Sequence, residues 1–562
     1  MRKKRVMFLS EWSELSSGYS VYYKNIIKRL FDTGKYEILE LANYAVDGDQ
    51  RLDNAPWQII PVVPNPQDSD ANRIYNSNPI GQFGLFKFEE ACLKFLPDIV
   101  ISIFDYWYSD FVLKSPFRNF FKMIWMPTVD SKPQRHCWID AYSSCDKICS
   151  YSYFGKNVLE NESGGKIKNV TVCSPGIDSS YLPSTNKSEL KKRFDIEEKQ
   201  NIVMMVCRNQ MRKLICDFIE SARVFIDKYS CIDKELVDNT YFYIHTSNPD
   251  HGWEIEQPII NSHVVDKILV TYFCKYCGNI KVKKFCGILS ECKNCNKNSM
   301  QMTSVGAGIP RQAIADLMSI ADLGALLSIG EGFGMPIIEF KKVGVPVITV
   351  PWSAMEEQCI DIKCGERRDY GGIPVKIQRM YTEATTMQQR ALFDKEDFAD
   401  KVYEYLNKSS ENKKKLSDEA TYCANTYFTW DKCSNEWEKI IDSIDISNLK
   451  KWDKDPPVYF NSIENNEPPK NIADDAEELI RWCVDNWYPH RYFTEYRISE
   501  FVNSIVTGAS LIDQFNKERF SFDSVKSIFR GMIDKHNHFE RIRESMFFKN
   551  KTNEDVFDVV KF

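Results

Sequence analysis

The chain has 562 residues, of which 43% are hydrophobic and 13% aromatic. This length exceeds what one hydrophobic core supports, so we expect several domains, and the composition argues against wholesale disorder. The formal net charge of -6, from 73 basic and 79 acidic side chains, argues against a globally basic nucleic-acid binder and leaves room for a local basic patch.

The amino-terminal segment and the cysteines bear on localisation. A basic head at residues 2–5 is followed by only about five apolar residues before Glu11, which is shorter than the apolar region of a signal peptide. No stretch approaches the roughly 18 to 20 apolar residues of a membrane span. We therefore predict a cytoplasmic protein without a membrane span, in which the 18 cysteines are reduced.

The first part of the chain alternates between strand and helix patterns. The apolar run at 5–10 predicts a buried strand, Gly18 lies in the turn after it, and apolar residues follow a helical period from Val21 to Leu30. Further strands are predicted at 36–41, 57–63, 98–103, 123–125 and 147–149. A strand, a glycine-containing loop and a helix open a doubly wound domain, so we predict a Rossmann-like, acceptor-side domain over residues 1–185.

A second series of the same kind follows. The predicted strands are 201–207, 240–245, 323–328 and 345–350, and the predicted helices are 187–194, 214–228, 310–321 and 335–343. They define a second Rossmann-like domain over residues 186–449, which is expected to face the first across a cleft. Polar, proline-containing stretches between 451 and 470 indicate a linker, so residues 450–562 are predicted to be a linker and a helical extension.

The segment 328–352 carries the most chemical information. A predicted strand runs into the sequence Gly-Glu-Gly-Phe-Gly at 330–334, and a helix begins at about residue 335. The free backbone N–H groups of such a turn, together with the helix dipole, bind an anion such as a pyrophosphate. Glu331 and Glu339 flank the start of this helix, where carboxylates can accept hydrogen bonds from sugar hydroxyls. An ordinary glycine turn between strand and helix is the alternative explanation.

The complete pattern, with Glu331 and Glu339 separated by seven residues, resembles the motif of the family-four retaining glycosyltransferases. That family has two Rossmann-like domains, an arrangement called GT-B. The resemblance extends over about 5–445 and is strongest at 305–357. Arg208 and Lys213 resemble the family's basic pair on the first loop of the second domain.

The resemblance implies a role for each of these residues. Arg208 and Lys213 would neutralise the donor phosphates and the leaving nucleoside diphosphate, which stabilises charge in the transition state. Glu339 would hold the ribose hydroxyls of a nucleotide-sugar donor, and Glu331 would contact the transferred sugar. Asp130 lies in a stretch similar to a cleft-facing segment of the first domain and joins the catalytic candidates. The remaining donor-binding candidates are Gly18, His245, Gly332, Phe333 and Gly334.

Simpler explanations exist for some of these residues. Arg212 and Lys213 could begin a solvated helix, and His245 could be a buried histidine at a strand end. The family retains the anomeric configuration without an agreed protein nucleophile, so no nucleophile is assigned. No catalytic metal is expected either, because the cationic side chains would stabilise the phosphate charge.

A cysteine-rich insert interrupts the second domain at 270–298. Cys274 and Cys277 form one C-x2-C pair, and Cys292 and Cys295 form another after fourteen intervening residues. Four thiolates at this spacing can close a tetrahedral site, so we predict a structural Zn²⁺ in a zinc ribbon. Basic and aromatic residues interleave along the insert, which suits nucleic acid, and a solvated protein-contact loop is the alternative. The lysines are Lys275, Lys281, Lys283, Lys284, Lys293 and Lys297.

Two classes of function remain open. The first is a hexosyl- or pentosyltransferase that moves a sugar from a nucleotide sugar to an acceptor. We predict a hydroxylated base in DNA as this acceptor, and a glycan or a protein is the alternative. The second class is a nucleic-acid-binding protein with an inactive transferase half. The two intact pairs, Glu331 with Glu339 and Arg208 with Lys213, favour the first class. The sequence carries no signal for an oligomeric state.

Overall fold

The computed structural model describes residues 2–177, 181–182, 186–287, 289–304, 308–461, 463, 467–469, 472, 475–507 and 522–552. Within these residues the chain forms two large sheets with helices around them, a small cysteine-rich insert and a helical extension. Part of the predicted linker, including Lys470, lies outside the described residues. The predicted α/β architecture with two Rossmann-like units is confirmed.

The first unit is built on seven parallel strands in the order β3-β2-β1-β4-β5-β6-β7. The strands are β1 (Lys4–Glu11), β2 (Tyr36–Val46), β3 (Gln58–Val63), β4 (Ile99–Ser102), β5 (Lys122–Trp125), β6 (Lys147–Ser150) and β7 (Thr171–Val172). The helices are α1 (Gly18–Asp32), α2 (Ser69–Asn76), α3 (Phe88–Phe95), α4 (Tyr106–Leu113), α5 (His136–Ser143) and α6 (Tyr153–Glu162). Both faces of β1 are buried, as its unbroken apolar run predicts.

The second unit is built on a nine-stranded sheet in the order β12-β13-β10-β9-β8-β14-β15-β16, with β11 paired to β10. The strands are β8 (Asn201–Val206), β9 (Thr240–His245), β10 (Ile268–Cys274), β11 (Ile280–Lys284), β12 (Leu289–Cys292), β13 (Lys297–Met302), β14 (Leu323–Leu326), β15 (Val347–Thr349) and β16 (Gly372–Pro374). The helices are α7 (Lys187–Arg193), α8 (Ile215–Tyr229), α9 (Lys234–Asp238), α10 (Glu256–Asn261), α11 (Arg311–Ser319) and α12 (Met335–Lys342). The six strands from β10 to β16 along this order are parallel.

The cysteine-rich insert extends the second sheet past its cleft-side edge. Residues 268–270 of β10 pair in parallel with residues 242–244 of β9, which ends at His245. Strand β10 continues to Cys274, where it pairs with β13 in antiparallel register. Because parallel strands end at a common edge, the insert begins beside the loops that follow β8 and β9.

An antiparallel hairpin follows the second sheet and was not predicted. It consists of β17 (Ile377–Thr382) and β18 (Gln389–Phe393). The backbone N–H of Gln389 donates to the carbonyl of Lys132, 2.8 Å away in the first unit. The hairpin therefore bridges the two units beside the cleft.

Three helices lead the chain back to the first unit. They are α13 (Lys395–Leu406), α14 (Ser410–Tyr427) and α15 (Trp430–Ser443). Helix α15 packs on α1, and its Trp437 Nε1 donates to the hydroxyl of Tyr22 at 2.7 Å. Lys4 Nζ donates to the carbonyl of Ile441 at 2.7 Å at the carboxyl end of α15.

The extension forms α16 (Ala476–Asn486), α17 (Glu495–Thr507) and α18 (Phe522–Thr552), which confirms the predicted helical tail. The chain leading into it packs on the first unit through Trp452, whose ring lies 4.6 Å from that of Phe120. Arg497 is buried between Asp110 of α4 and Asp140 of α5, at 3.1 and 3.2 Å. None of the helices in the described residues is long and apolar enough to cross a membrane.

Candidate active site

A cavity of about 840 Å³ lies between the two units. It is lined by the loops that follow β1, β4, β5, β8 and β14 and by the hairpin of β17 and β18. In open α/β sheets, ligands bind at these carboxyl ends of the parallel strands. The predicted site residues that line the cavity are Gly18, Asp130, Arg208, Lys213, Glu331, Gly332, Phe333 and Gly334.

Glu331 forms a buried cluster with two cations. Arg212 Nη1 donates to Glu331 Oε1 at 2.5 Å, and Lys213 Nζ donates to the same oxygen. The hydroxyl of Ser353 accepts a hydrogen bond from the backbone N–H of Glu331 at 2.9 Å, which fixes the loop. Burial acts to raise the pKa of the Glu331 carboxyl, but the charges of Arg212 and Lys213 lower that pKa to about 2. Two cations thus face one carboxylate, and the cluster can still attract an anion.

Arg208 lies on the same loop but is more exposed. Its guanidinium makes a bidentate pair with Asp250, at 2.8 and 3.0 Å. The side chain of Arg208 is 49% exposed, whereas that of Lys213 is 8% exposed. A single 3-10 turn at Met211–Lys213 separates the two positions and directs Lys213 inward. The predicted basic pair therefore has one member at the mouth of the cavity and one buried beside Glu331.

The glycines of the 330–334 loop allow a close approach between the two units. A Cβ atom on Gly332 would lie 2.5 Å from Thr128 Cγ2, and one on Gly330 would lie 2.5 Å from the carbonyl oxygen of Asp130. Gly334 has φ +91°, the left-handed region that favours glycine, and α12 begins directly after it. The loop thus needs glycine for contact with the first unit as well as for access to a ligand.

Asp130 faces the 330–334 loop from the first unit. Its Oδ2 is 2.9 Å from Nη1 of Arg390 on the hairpin. Burial raises the pKa of the Asp130 carboxyl, although the charges of Arg390 and Arg212 act against this rise. Asp130 is thus a carboxyl group at the junction of both units and the hairpin.

Two predicted residues lie outside the cavity lining. His245 is buried at the end of β9, with Nδ1 2.7 Å from Thr271 Oγ1. Burial lowers the pKa of His245 to about 4, so the ring is neutral at pH 7. Glu339 is partly buried in α12, one turn after Met335. Their roles as donor ligands stay predictions.

Two of the candidates that line the cavity, Gly18 and Phe333, also have structural roles. Gly18 begins α1, whose amino terminus is capped by Ser17 accepting from the N–H of Ser20. The ring of Phe333 is buried and lies 5.6 Å from that of Phe428.

Several residues of the cavity were not predicted from the sequence, among them Asp105, Tyr19 and Arg390. Asp105 follows β4, and burial together with the nearby charge of Asp130 raises its pKa to about 7. The hydroxyl of Tyr19 lies 2.6 Å from that of Thr128. Arg390 belongs to the unpredicted hairpin. Of these three, only Asp105 had a sequence signal, since it lies two residues after the end of the predicted strand 98–103.

The four cysteines of the insert come together. Their Sγ atoms all lie within 4.8 Å of one another. The Sγ atoms of Cys274 and Cys295 are 3.6 Å apart, and those of Cys277 and Cys292 are 3.7 Å apart. Zn–S bonds of about 2.3 Å in a tetrahedron place sulfur atoms about 3.8 Å apart, so this donor set fits Zn²⁺.

The motif matches a known family model, and the fold is similar to solved structures. Residues 293–366 match the family model of glycosyl transferases group 1. Sucrose-phosphate synthase from Thermosynechococcus elongatus is 13% identical with TM-score 0.54, over 78% of this chain and 98% of that one. HepE from Anabaena, solved with UDP and glucose, is 13% identical with TM-score 0.52, over 78% of this chain and 100% of that one. The curated proteins contain no significant match.

A glycosyltransferase from Rickettsia africae has the same fold, at 16% identity and TM-score 0.52, over 78% of this chain and 98% of that one. At such identities the likeness shows the fold, which is GT-B. The group 1 match covers the whole 328–352 motif. Fold and match together define the chain as a glycosyltransferase.

Proposed function

We propose that this glycosyltransferase uses a nucleotide-sugar donor and retains the anomeric configuration. The cluster of Glu331, Arg212 and Lys213 carries this proposal, because it holds excess positive charge beside the glycine loop that opens α12. A diphosphate can accept hydrogen bonds from Lys213 and from the loop N–H groups. Arg208 at the cavity mouth adds a further cation. The structures of HepE with UDP and glucose or UDP-glucose support this choice of donor.

The cations and Glu331 of the second unit would each act in this reaction. The bond between the anomeric carbon and the phosphate oxygen breaks, and the cations stabilise the negative charge that the phosphate gains. The acceptor oxygen bonds to the anomeric carbon on the same face, and its proton passes to the leaving phosphate. Both cations bond Oε1 of Glu331, so Oε2 can accept a hydrogen bond from the transferred sugar. No step needs a catalytic metal.

The cysteine cluster is proposed to hold a structural Zn²⁺ through Cys274, Cys277, Cys292 and Cys295. A bound Zn²⁺ would cross-link the two C-x2-C pairs, one at the end of β10 and the other at the end of β12. All four ligands come from one insert, which leaves no open coordination position for chemistry.

For the acceptor, the prediction of a hydroxylated DNA base has one supporting observation. Tyr276 is 61% exposed, and the Nζ atoms of Lys275 and Lys297 lie 5.4 and 4.2 Å from its ring centre. Among the described residues, the insert's one lysine–carboxylate pair joins Lys281 to Asp195, at 2.7 Å. Exposed lysines around an aromatic ring suit a phosphate backbone with unstacked bases. A glycan or a protein is the alternative acceptor.

The donor site can be tested without knowledge of the acceptor. Purified protein is incubated with UDP-glucose and other nucleotide sugars, and release of the nucleoside diphosphate is measured. We expect Lys213→Ala and Glu339→Ala each to lower turnover by about tenfold to a thousandfold, the scale of one lost charge-stabilising contact. Lys199→Ala, a mostly exposed lysine outside the cavity, is the matched control.

Two results would contradict the proposal. One is near-wild-type turnover in both Lys213→Ala and Glu339→Ala, which would remove these two residues from the donor site. The other is a released sugar with the anomeric configuration opposite to that of the donor, read by NMR before mutarotation, which would exclude retention.

A further inference from the structure

We propose that Asp250 is a positioning residue for Arg208, and that the cysteine-rich insert holds Asp250 in place. This assignment rests on the proposed donor site, in which the Arg208 guanidinium faces the phosphates at the cavity mouth. The insert then contributes to donor binding whether or not it contacts an acceptor. Three sets of contacts carry the assignment: those of the Asp250 carboxylate, those between the loop 247–253 and the basic loop 208–213, and those between the loop 247–253 and the insert.

The Asp250 carboxylate is enclosed and bonded on both oxygens. Its side chain is 0% exposed, and the Arg208 guanidinium donates to both oxygens, at 2.8 and 3.0 Å. The hydroxyl of Ser247 donates to Oδ2 at 2.6 Å, and the backbone N–H of His251 donates to Oδ1 at 2.7 Å. Burial acts to raise the pKa of Asp250, but these hydrogen bonds lower that pKa to about 2. Asp250 is therefore a fixed acceptor that is charged at pH 7.

Arg208 presents only one edge of its guanidinium to Asp250. Nε and Nη2 are bonded there, whereas Nη1 has no hydrogen-bond partner among the residues that the structure describes. The Arg208 side chain is 49% exposed and lines the cavity. A free arginine side chain samples many rotamers, so a bidentate carboxylate that selects one of them lowers the entropy cost of binding a phosphate. The free edge is thus held ready for a ligand oxygen.

The loop 247–253 encloses the start of the basic loop. The side-chain amide of Asn209 bonds the backbone of Trp253 twice, donating to its carbonyl at 2.7 Å and accepting from its N–H at 2.8 Å. The indole N–H of Trp253 donates to the carbonyl of Met211 at 3.1 Å. A Cβ on Gly252 would lie 2.4 Å from Asn209 Oδ1, so glycine permits this close approach. These contacts fix the two loops relative to each other.

The insert fixes the start of this enclosing loop. Strand β13 leads out of the insert, and the carbonyl of Thr303 directly after it accepts from the N–H of Asn248 at 2.7 Å. The Thr303 hydroxyl donates to the carbonyl of Thr246 at 2.6 Å. On β10, Thr271 Oγ1 lies 2.7 Å from Nδ1 of His245, the last residue of β9. The insert strands therefore hold the end of β9 and the loop that carries Asp250.

The test separates orientation from charge. Asp250→Asn leaves the charge of Arg208 less screened, so a merely electrostatic partner predicts tighter binding of UDP. Glu11, whose charge also acts on Arg208, is unchanged in this variant. Positioning predicts the opposite result: UDP binding, measured by calorimetry, should weaken by about tenfold, and kcat/KM for UDP-glucose hydrolysis should fall by a similar factor. Arg208→Ala and the double variant with Asp250→Asn should be equally impaired, because Asp250 acts through Arg208.

The Nε–Hε signal of Arg208 in heteronuclear NMR reports the same contact without a ligand, and Arg208→Ala assigns it. We expect slow hydrogen exchange of this group in the wild type and fast exchange in Asp250→Asn. Thr303→Val removes the hydroxyl bond to the loop at nearly constant size. It should speed this exchange and weaken UDP binding by about twofold to fivefold. Asp361→Asn is the matched control, because Asp361 also accepts from a cation and a backbone N–H, both of Lys363, outside the cavity.

Unchanged or tighter UDP binding by Asp250→Asn would overturn the proposal, as would a double variant clearly weaker than Arg208→Ala or an equal loss in Asp361→Asn. Wild-type exchange in Thr303→Val would overturn the part assigned to the insert. If Arg208→Ala binds UDP like the wild type while Lys213→Ala does not, the donor site stands and the positioning of Arg208 is overturned. If neither UDP nor another nucleoside diphosphate binds the wild type, the donor proposal fails instead, and the NMR exchange still decides whether Asp250 fixes Arg208.

Discussion

Glu331→Gln removes one negative charge from the donor cluster and keeps the size of the side chain. In the wild type this carboxylate is 6% exposed and bonded to Arg212 and Lys213. The variant leaves these cations without their carboxylate in a partly dehydrated site. Removing one partner of a buried ion pair costs stability because the other charge stays buried.

The pKa of Glu331 gives the size of the effect. It falls from 4.5 to about 2 on folding, because the two cations outweigh the burial of the carboxyl. At about 1.4 kcal/mol per pH unit, this shift corresponds to about 3 kcal/mol of stability. A lowered carboxyl pKa stabilises the fold above the unfolded-state value of 4.5. That contribution is lost as the pH falls from 4.5 towards 2.

Thermal unfolding at pH 7, followed by calorimetry, measures the prediction. For a domain the size of the second unit, about 3 kcal/mol lowers the melting temperature by roughly 6 to 12 °C. UDP should stabilise Glu331→Gln more than it stabilises the wild type. In the variant, its phosphates would neutralise the two cations that have lost their carboxylate partner. Equal melting temperatures of variant and wild type at pH 7 would refute the argument, as would equal stabilisation by UDP.

The remaining predictions concern the insert, the glycine loop and the extension. Protein purified without chelator should contain about one Zn²⁺ per chain by mass spectrometry, and Cys274→Ser should lose it; metal-free wild type would reject the site. Gly332→Ala should reduce turnover by about tenfold or more, because its Cβ meets the Thr128 methyl, and Thr128→Ser should restore part of it; no rescue would contradict this contact. Arg497→Met should speed hydrogen exchange in α17, since breaking a buried pair costs about 3 to 5 kcal/mol; unchanged exchange would exclude the anchor.

Strands β1 to β6, β8, β9, β14 and β15 could be predicted because they are local apolar runs, whereas β7, β10 to β13 and β16 were not predicted. The six-residue strand β9 was predicted at its observed bounds, 240–245, and the helix at 335–343 ends within one residue of α12. The hairpin 377–393 was not predicted because β17 is mostly exposed and neither of its strands shows a clean alternation of buried and exposed residues. Contacts with Lys132 and Ser131 of the first unit position it, and no local pattern encodes such contacts.

The basic pair shows the limit of reasoning from spacing. Spacing and resemblance selected Arg208 and Lys213, and Arg212 was considered as a solvated helix start. In the structure Arg212 bonds Glu331, whereas Arg208 pairs with Asp250. The direction of each side chain depends on the 3-10 turn and on the left-handed backbone of the residue after it, φ 48°. Such a turn is set by packing rather than by composition.

The contacts between the two units suggest how a donor enters the cavity. We call the crossing the place where residues 176–177 pack against residues 428–430. There the N–H of Ile177 donates to the carbonyl of Phe428 at 3.1 Å, and a Cβ on Gly176 would lie 2.1 Å from the Trp430 nitrogen. At the cleft, the contacts include the close approaches at Gly330 and Gly332, the hairpin's ion pair and hydrogen bonds, and the bonds from the backbone N–H groups of Tyr153 and Phe154 to Glu357. Opening should therefore break the cleft contacts and pivot at the packed crossing.

Small-angle scattering tests this pivot directly. The radius of gyration should be larger without ligand than with saturating UDP, because the diphosphate draws the loops of both units together. A glycine at 176 is required by the packing, so Gly176→Ala should disturb the crossing itself and not only the cleft. An unchanged radius at saturating UDP would mean that the units stay together and that the donor enters through the open mouth beside Arg208.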